Sequence, residues 1–421
     1  MIKLKNKISK RKIINLVMTS TLITFFLIDL FSKNHFILDN ILPTVFEKIF
    51  ADLRTIIQSI DELKKIDTLG VDKISSSELW GRPMNYPNIW VYFFSFLKVF
   101  GNPVFIFGIF QISIYILFSK FILLKTKDFF YVNFFILFSP TLLLMMERGN
   151  NDTIIFFLLL FSILLKNYLS GFLLGLAICL KIFPIFVLPF YFFFRKFNKK
   201  FFIGLSVMLP FIFWTLFQIM TALENTAVEA SYSASFGIYS LSMFFIAFAK
   251  EIFFIEIDNN YLIYLNILFF FIFMFFSLVF NYFFKKDILN ILKAIKKNKK
   301  YLMIFILFST QSVLIFFTFS SYAYRIIFLL PAVLIFINNL KNFDNISYIK
   351  KIFYFILSTS PFLSPWLLIS FFEDVKNFHI WVLYSSIIFS SMIFYFAIII
   401  NFYYDPISKL YFKIYLKIKH I

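Results

Sequence analysis

Long runs without a charged residue constrain this chain more than any other feature. A run of about 20 apolar residues is enough for an α-helix to cross a bilayer core of roughly 30 Å. Such runs occupy residues 129–146, 201–220, 261–284, 301–324 and 352–372. The composition agrees, because 61% of the residues are hydrophobic, more than the roughly half that soluble domains contain. The sequence therefore predicts an all-α polytopic membrane protein.

Clusters of lysine and arginine indicate which ends of these helices face the cytoplasm. Six of the first 12 residues are basic, and further clusters lie at 195–200, 285–300 and from residue 409 onward. The positive-inside rule places such clusters on the cytoplasmic side, where they also contact anionic membrane lipids. This distribution accounts for the formal net charge of +19, so no nucleic-acid partner is expected.

The apolar runs and the basic clusters together predict about 12 crossings, with both termini in the cytoplasm. The N-terminal segment has no small-residue cleavage site and is interpreted as an uncleaved first helix. The stretch 237–257 is interpreted as an external amphipathic or re-entrant helix. The predicted crossings are 13–31, 103–124, 129–146, 153–165, 171–194 as an out-and-back pair, 201–220, 260–284, 301–321, 326–340, 352–372 and 379–402.

We expect a single integral membrane domain over residues 1–421. Its large external loop follows the first helix and contains a predicted amphipathic helix at 50–66, lying along the membrane surface. The sequence "NIWVYFFSFLKVFG" is too short to span and is expected in the interface or partway into the bilayer. The expected parts are the first transmembrane helix 13–31, the external loop 32–88, a helical core 89–340, a C-terminal helix pair 341–402 and a basic cytoplasmic tail 403–421.

The stretch "ERGNND", residues 147–152, puts three charges and two amides between two apolar runs. The helix predicted after it, 153–165, would be about 20 Å long, which is short for a crossing. Either this helix thins the bilayer, or its polar start lies below the outer surface in a water-filled recess. A simpler alternative is a capped external turn, in which Glu147 and Asp152 neutralise Arg148.

Two further cations stand in apolar surroundings on the predicted outer side. Lys181 precedes Pro184, which should break a helix, and Lys181 either extends outward to water or faces a ligand in a cavity. Arg325 follows Tyr322 and Tyr324, and an interfacial aromatic belt would explain these tyrosines but not the arginine.

These cations suggest an externally open site for a phosphate or pyrophosphate, because arginine can bind such groups with two parallel hydrogen bonds. A phosphate at the membrane would belong to a lipid, and an acid in the adjoining loop could act as general base. The predicted phosphate-binding residues are Arg325, Lys181 and Arg148. The predicted pocket also contains Glu147, Asn150, Asn151, Asp152, Arg82, Asn85, Tyr86, Tyr322 and Tyr324.

Four segments in this order resemble glycosyltransferase family 87, formerly domain of unknown function 2029, over roughly residues 13 to 340. They are "FADLRTIIQSIDELKK…GRPMNYPNIW", "ERGNND", "GFLLGLAICLKIFPIFVLPFYFFFRK" and "YAYRIIFLLPAVLIF". The resemblance implies a GT-C fold and an enzyme that uses a polyprenyl-phosphate sugar, typically of mannose, on the non-cytoplasmic side. The acceptor would be a lipid or a glycan. The expected location is the plasma (inner) membrane of a bacterium.

The family typically places a catalytic aspartate in the first external loop, which the resemblance assigns here to Asp52. Many members have a tyrosine a few residues later, whereas "DLRTIIQS" has none. The runner-up is Asp61, which could equally be on the solvated face of the amphipathic helix with Glu62. The resemblance implies an inverting transfer in which Asp52 is the base and the cations stabilise the leaving phosphate.

Other functions stay open at this point. A glycan polymerase or ligase would also be polytopic, and a lipid-linked-sugar flippase or transporter would not be an enzyme. The sequence has no Asp-x-Asp motif, which argues against a cytoplasmic nucleotide-sugar transferase. One cysteine and three distant histidines make a metal site improbable, and no cofactor is expected.

Overall fold

The protein is described here from a computed structural model. The described residues are 20, 24, 50, 52–54, 56–57, 87–126, 129–195, 198–223, 235–238, 241–242, 245–246, 249–250, 254, 261–318, 321–372 and 378–419. Most of the predicted first helix and external loop, including Asp61, Arg82, Asn85 and Tyr86, therefore lies outside the described residues.

The described chain is helical apart from one short pair of strands. Up to residue 223 the α-helices are α1 (Asn88–Leu97), α2 (Pro103–Lys125), α3 (Phe130–Leu137), α4 (Pro140–Glu147), α5 (Asp152–Leu164), α6 (Tyr168–Leu180), α7 (Leu188–Arg195), α8 (Lys199–Ser206) and α9 (Leu209–Leu223). Beyond residue 260 they are α10 (Leu262–Lys296), α11 (Lys299–Thr318), α12 (Leu330–Asn339), α13 (Tyr348–Phe372) and α14 (Phe378–Lys419). The 3₁₀ helices are Lys98–Phe100, Phe183–Val187, Ala323–Leu329 and Leu340–Asn342.

Five helical segments of the described chain are long and apolar enough to cross a membrane, and two bent helix pairs raise this number to seven. The count of about 12 is therefore not reached within the described residues. The predicted crossing 129–146 is the pair α3 and α4, bent by 42°, and 201–220 falls within the pair α8 and α9, bent by 48°. In each pair a proline, Pro140 or Pro210, lies at the start of the second helix. Its ring and its missing N–H prevent the first helix from continuing, which explains the bend.

The strand pair joins two loops that are far apart in sequence. β1 (Ser235–Phe236) runs antiparallel to β2 (Ser321–Tyr322), and Ser235 is opposite Tyr322. Within the predicted external helix 237–257, the described positions beyond Gly237 are mostly helical, and Ser242 donates to Asn266 of α10 at 2.7 Å. The loop before α10 therefore lies close to the chain that leads into Arg325.

Contacts between basic segments place them at one end of the helical bundle, which we call the basic end. Lys350 pairs with Asp287 at 2.7 Å, and Lys285 lies 5.4 Å from the ring centroid of Tyr404. Asn198 donates to the carbonyl of Lys166 at 3.1 Å. The three lysines belong to separate parts of the sequence and Asn198 to a fourth, and the stacking of Phe194 on Phe402 joins the two groups of contacts. Their convergence agrees with the predicted placement of the basic clusters on one side.

Two glycines allow α6 and α8 to touch through their backbones. A Cβ on Gly171 would lie 1.9 Å from the carbonyl oxygen of Phe201, and a Cβ on Gly204 would lie 1.9 Å from that of Tyr168. Small residues permit this close approach between membrane helices. The crossing fixes the helix that ends immediately before Lys181.

We predict that Gly171→Ala destabilises the protein by at least about 1–3 kcal/mol, because the added methyl group meets backbone atoms that cannot rotate away. Unfolding can be followed with a thiol-reactive dye, since Cys179 is fully buried in the same helix. The matched control is Ser206→Ala on the exposed face of α8, which should unfold at the wild-type temperature. Equal unfolding temperatures for both variants would contradict the close crossing.

The orientation in the membrane can be tested with single cysteines in a Cys179→Ala background. Val99 is 80% exposed at the end of the bundle opposite the basic end, and Lys297 is exposed at the basic end. A membrane-impermeant maleimide added from the non-cytoplasmic side should label Val99→Cys in intact cells. It should label Lys297→Cys only after permeabilisation, and labelling of both before it would overturn the assignment.

Candidate active site

Residues 147–152 form a tight connection between two helices rather than a loose external turn. Gly149 has φ of +62°, and the N–H groups of Gly149 and Asn150 donate to the carbonyls of Met146 and Met145 at 3.1 and 3.0 Å. This is a Schellman end for α4. The Asn150 side chain then accepts from the N–H of Asp152 at 2.8 Å and starts α5. The polar residues of this stretch therefore end one buried helix and begin the next.

The described residues of the predicted first external loop dock on this connection through their backbone. The N–H of Phe50 donates to the carbonyl of Glu147 at 2.8 Å, and that of Asp52 donates to the carbonyl of Arg148 at 3.1 Å. A Cβ on Gly149 would lie 2.9 Å from Leu53. The described residues of the predicted amphipathic helix 50–66 thus pack inside the protein, with Phe50, Asp52 and Leu53 buried.

This docking brings Asp52 to Arg148. Arg148 donates to Oδ1 of Asp52 from Nε at 3.1 Å and from Nη2 at 2.7 Å. Asn150 donates to Oδ2 of the same carboxylate at 2.5 Å. All three side chains are at least nine-tenths buried, and these hydrogen bonds fix the orientation of the carboxylate. Arg148 therefore pairs with an acid that lies 96 residues away in sequence. The simpler predicted turn, in which Glu147 and Asp152 neutralise Arg148, lacks this partner.

A second ion-pair cluster adjoins the first. Lys181 Nζ lies 2.5 Å from Oδ1 of Asp152, and Arg325 Nε lies 3.4 Å from its Oδ2. Asp152 is fully buried and follows Asn150, which binds Asp52, by two residues. The three predicted phosphate-binding cations thus lie around two carboxylates, at the end of the bundle opposite the basic end.

Helix ends stabilise the charges of this second cluster. α5 and α6 each have 13 residues and are joined by a short loop, so the start of one and the end of the other lie at the same level. Asp152 occupies the first turn of α5 and Lys181 follows the last turn of α6. A carboxylate is favoured at a helix N-terminus and an ammonium group at a C-terminus, because the peptide dipoles are aligned.

Three side chains bind backbone carbonyls on either side of the helix break at Lys181, two at the end of α6 and one at the start of the 3₁₀ helix Phe183–Val187. Trp90 Nε1 donates to the carbonyl of Leu180 at 3.0 Å, Thr215 to that of Cys179 at 3.1 Å, and Gln311 to that of Phe183 at 3.1 Å. Sequence reasoning missed all three. Gln311 could have been identified from the sequence, because an amide side chain within an uncharged apolar run requires a hydrogen-bond partner inside the protein. Trp90 and Thr215 gave none.

Several buried polar atoms around the clusters have no hydrogen-bond partner among the described residues. They are Gln111 Oε1, Asn151 Nδ2, Thr153 Oγ1, Asp152 Oδ2 and Arg325 Nε, the last two being the atoms of the 3.4 Å ion pair. Gln111 and Asn151 contact each other at 3.4 Å. Unsatisfied buried polar groups are costly, so this region is polar enough to hold water or a hydroxylated ligand.

Other predicted pocket residues are placed less fully. Glu147 is buried, whereas Tyr322 and Tyr324 are described only by their backbone, in β2 and in the 3₁₀ helix that also holds Arg325. No group of three or more histidine, cysteine, aspartate or glutamate residues that could hold a metal ion occurs in the described part of the chain.

We predict that removing one partner of the Asp152–Lys181 pair destabilises the protein by about 3–5 kcal/mol, because the remaining charge stays buried. Asp152→Asn and Lys181→Met should each show this loss in thermal unfolding monitored at Cys179. The double variant should lose less than the sum of the two single variants, since neither charge remains. Additive losses would show that the two side chains do not interact.

The chain was compared with protein families, curated proteins and solved structures. No curated protein and no solved structure matches it significantly. Residues 85–246 match the model of glycosyltransferase family 87, a shorter stretch than the resemblance over 13 to 340, with Asp52 and Arg325 outside it. The matched stretch contains Arg148, Asp152 and Lys181. The match confirms the predicted resemblance over this stretch: residues 85–246 are similar to glycosyltransferase family 87, in a chain with five described helical segments that are long and apolar enough to cross a membrane.

Proposed function

We propose that this protein transfers a hexose from a polyprenyl-phosphate sugar to a hydroxyl group of a lipid or glycan acceptor, on the non-cytoplasmic side of the membrane. Mannose is the first sugar to test. The family match supports a glycosyl transfer, and the helical architecture supports a substrate that resides in the membrane. The proposed fold type is GT-C.

One observation carries this proposal. Asp52, Lys181 and Arg325 come from distant parts of the sequence and form ion pairs with Arg148 and Asp152 of the stretch 147–152. Such a buried cluster is expensive unless it serves a ligand or is fully paired. Here three cations lie around two carboxylates, which leaves one positive charge in excess. A bound phosphate could be neutralised by this excess charge.

In the proposed reaction Asp52 is the general base. It accepts the proton of the acceptor hydroxyl as that oxygen forms a bond to the anomeric carbon of the sugar. The bond from that carbon to the phosphate oxygen breaks on the opposite face, so the configuration inverts. Arg148 and Asn150 hold the Asp52 carboxylate in a fixed plane, which orients it toward the attacking hydroxyl.

The leaving phosphate is assigned to Lys181 and Arg325. Both side chains already bind the carboxylate of Asp152, whose oxygens resemble two of the phosphate oxygens in charge and spacing. In the proposed complex the phosphate shares these cations with Asp152. Their positive charge stabilises the negative charge that develops on the leaving group, and the effect is strong because both cations are largely buried.

The test uses membranes containing the full-length protein, a panel of radiolabelled polyprenyl-phosphate sugars, and extracted lipids and glycans as acceptors. Wild-type protein should transfer at least one sugar, with mannose tested first. Asp52→Asn should lower the rate by about 100-fold or more, because the loss of a general base costs 10²–10⁴ in rate.

The matched control is Asp287→Asn at the basic end. Asp287 is also a buried carboxylate, paired with Lys350 at 2.7 Å and accepting from Tyr354 at 2.9 Å. Its substitution should lower stability and leave transfer per folded molecule unchanged. Full transfer by Asp52→Asn would remove Asp52 from the mechanism. Absence of transfer by the wild type with every donor would favour a glycan polymerase or ligase, or a lipid-linked-sugar flippase.

A further inference from the structure

A groove at the basic end has no part in the proposed reaction. It has a volume of about 430 Å³ and lies where the start of α3, the 3₁₀ helix Leu340–Asn342 and the first turns of α13 meet. This volume is within the range of about 300–1,000 Å³ that is usual for small-molecule sites. The groove is therefore large enough to receive part of a lipid.

The lining of the groove combines an apolar floor with two lysines. Lys341 and Lys351 contribute the charge, and none of the described lining residues is an acid. Lys341 Nζ lies 5.7 Å from the ring centroid of Phe129, which is part of the same lining. The apolar floor is formed mainly by Phe129, Val132, Ile352 and Phe355.

The neighbouring Lys350 shows a different arrangement. Its ammonium group pairs with Asp287 and thus faces α10, whereas Lys351, the next residue, lines the groove. The groove therefore presents two positive charges beside an apolar surface at the end of the bundle where basic clusters converge. Basic pockets between helices on the cytoplasmic side of a membrane suit anionic lipid head groups.

We propose that this groove binds one anionic phospholipid of the cytoplasmic leaflet. Lys341 and Lys351 bind the phosphate of its head group, and an acyl chain lies along Val132, Ile352 and Phe355. The lipid would connect α3 with α13, two helices that belong to opposite halves of the chain. This inference does not depend on the proposed glycosyl transfer.

The test measures binding of fluorescent phosphatidylglycerol to the purified full-length protein in detergent, with fluorescent phosphatidylcholine as the uncharged comparison. Lys341→Gln/Lys351→Gln should weaken phosphatidylglycerol binding by roughly 20- to 30-fold, from about fivefold for each lysine near an anionic surface. The variant should leave the weaker phosphatidylcholine binding unchanged. Binding of phosphatidylglycerol to the wild type should also fall as salt is raised.

Two further variants separate this site from general surface charge. Lys297→Gln/Lys300→Gln removes two exposed lysines of the basic end outside the groove and should keep wild-type binding. Lys341→Arg/Lys351→Arg keeps both charges and should retain binding. This variant still tests the site if the glutamine variant does not fold. Equal losses in the groove and control variants, or no loss in the groove variant, would overturn the site.

Discussion

The neutralisation of buried charge is the constraint on which the rest of this structure depends. Asp52 and Asp152 bind Arg148, Lys181 and Arg325, and a charge left alone in such surroundings would cost several kcal/mol. Each pair joins segments that are distant in sequence, so the requirement for a partner fixes their relative positions. The segment around Asp52, the α5–α6 hairpin and the start of the 3₁₀ helix before α12 are held together in this way.

The same constraint explains why the short helices are tolerated. α5 and α6 have 13 residues each, about 20 Å of helix, and their polar ends would lie within the bilayer if they faced lipid. Instead Asp152 is buried against protein groups, and the carbonyls at the end of α6 accept hydrogen bonds from Trp90 and Thr215. Irregular backbone at membrane depth is stable where protein surrounds it.

The features of the fold and site that the sequence predicts are those that depend on whole segments of the chain. Charge and hydropathy act on whole segments, so the ends of most apolar helices and the convergence of the basic clusters could be predicted from local composition. A simple count of apolar runs does not predict the bends at Pro140 and Pro210, where one apolar run forms two short helices. The polar pattern predicts an acid of the adjoining loop beside the cations and the family resemblance names Asp52, but neither predicts its ion pair with Arg148. The hydrogen bonds of Trp90 and Thr215 join single atoms across long stretches of chain, and no periodicity reports such contacts.

Asn150 illustrates how narrowly the polar connection restricts its residues. Its amide nitrogen donates to Asp52, and its amide oxygen accepts from the backbone of Asp152. An aspartate at this position would offer no donor and would face the Asp52 carboxylate with like charge, while a serine hydroxyl would be too short to reach both partners. A short carboxamide has the two opposite polarities at the right separation, so one side chain sets the spacing between the candidate base and the start of α5.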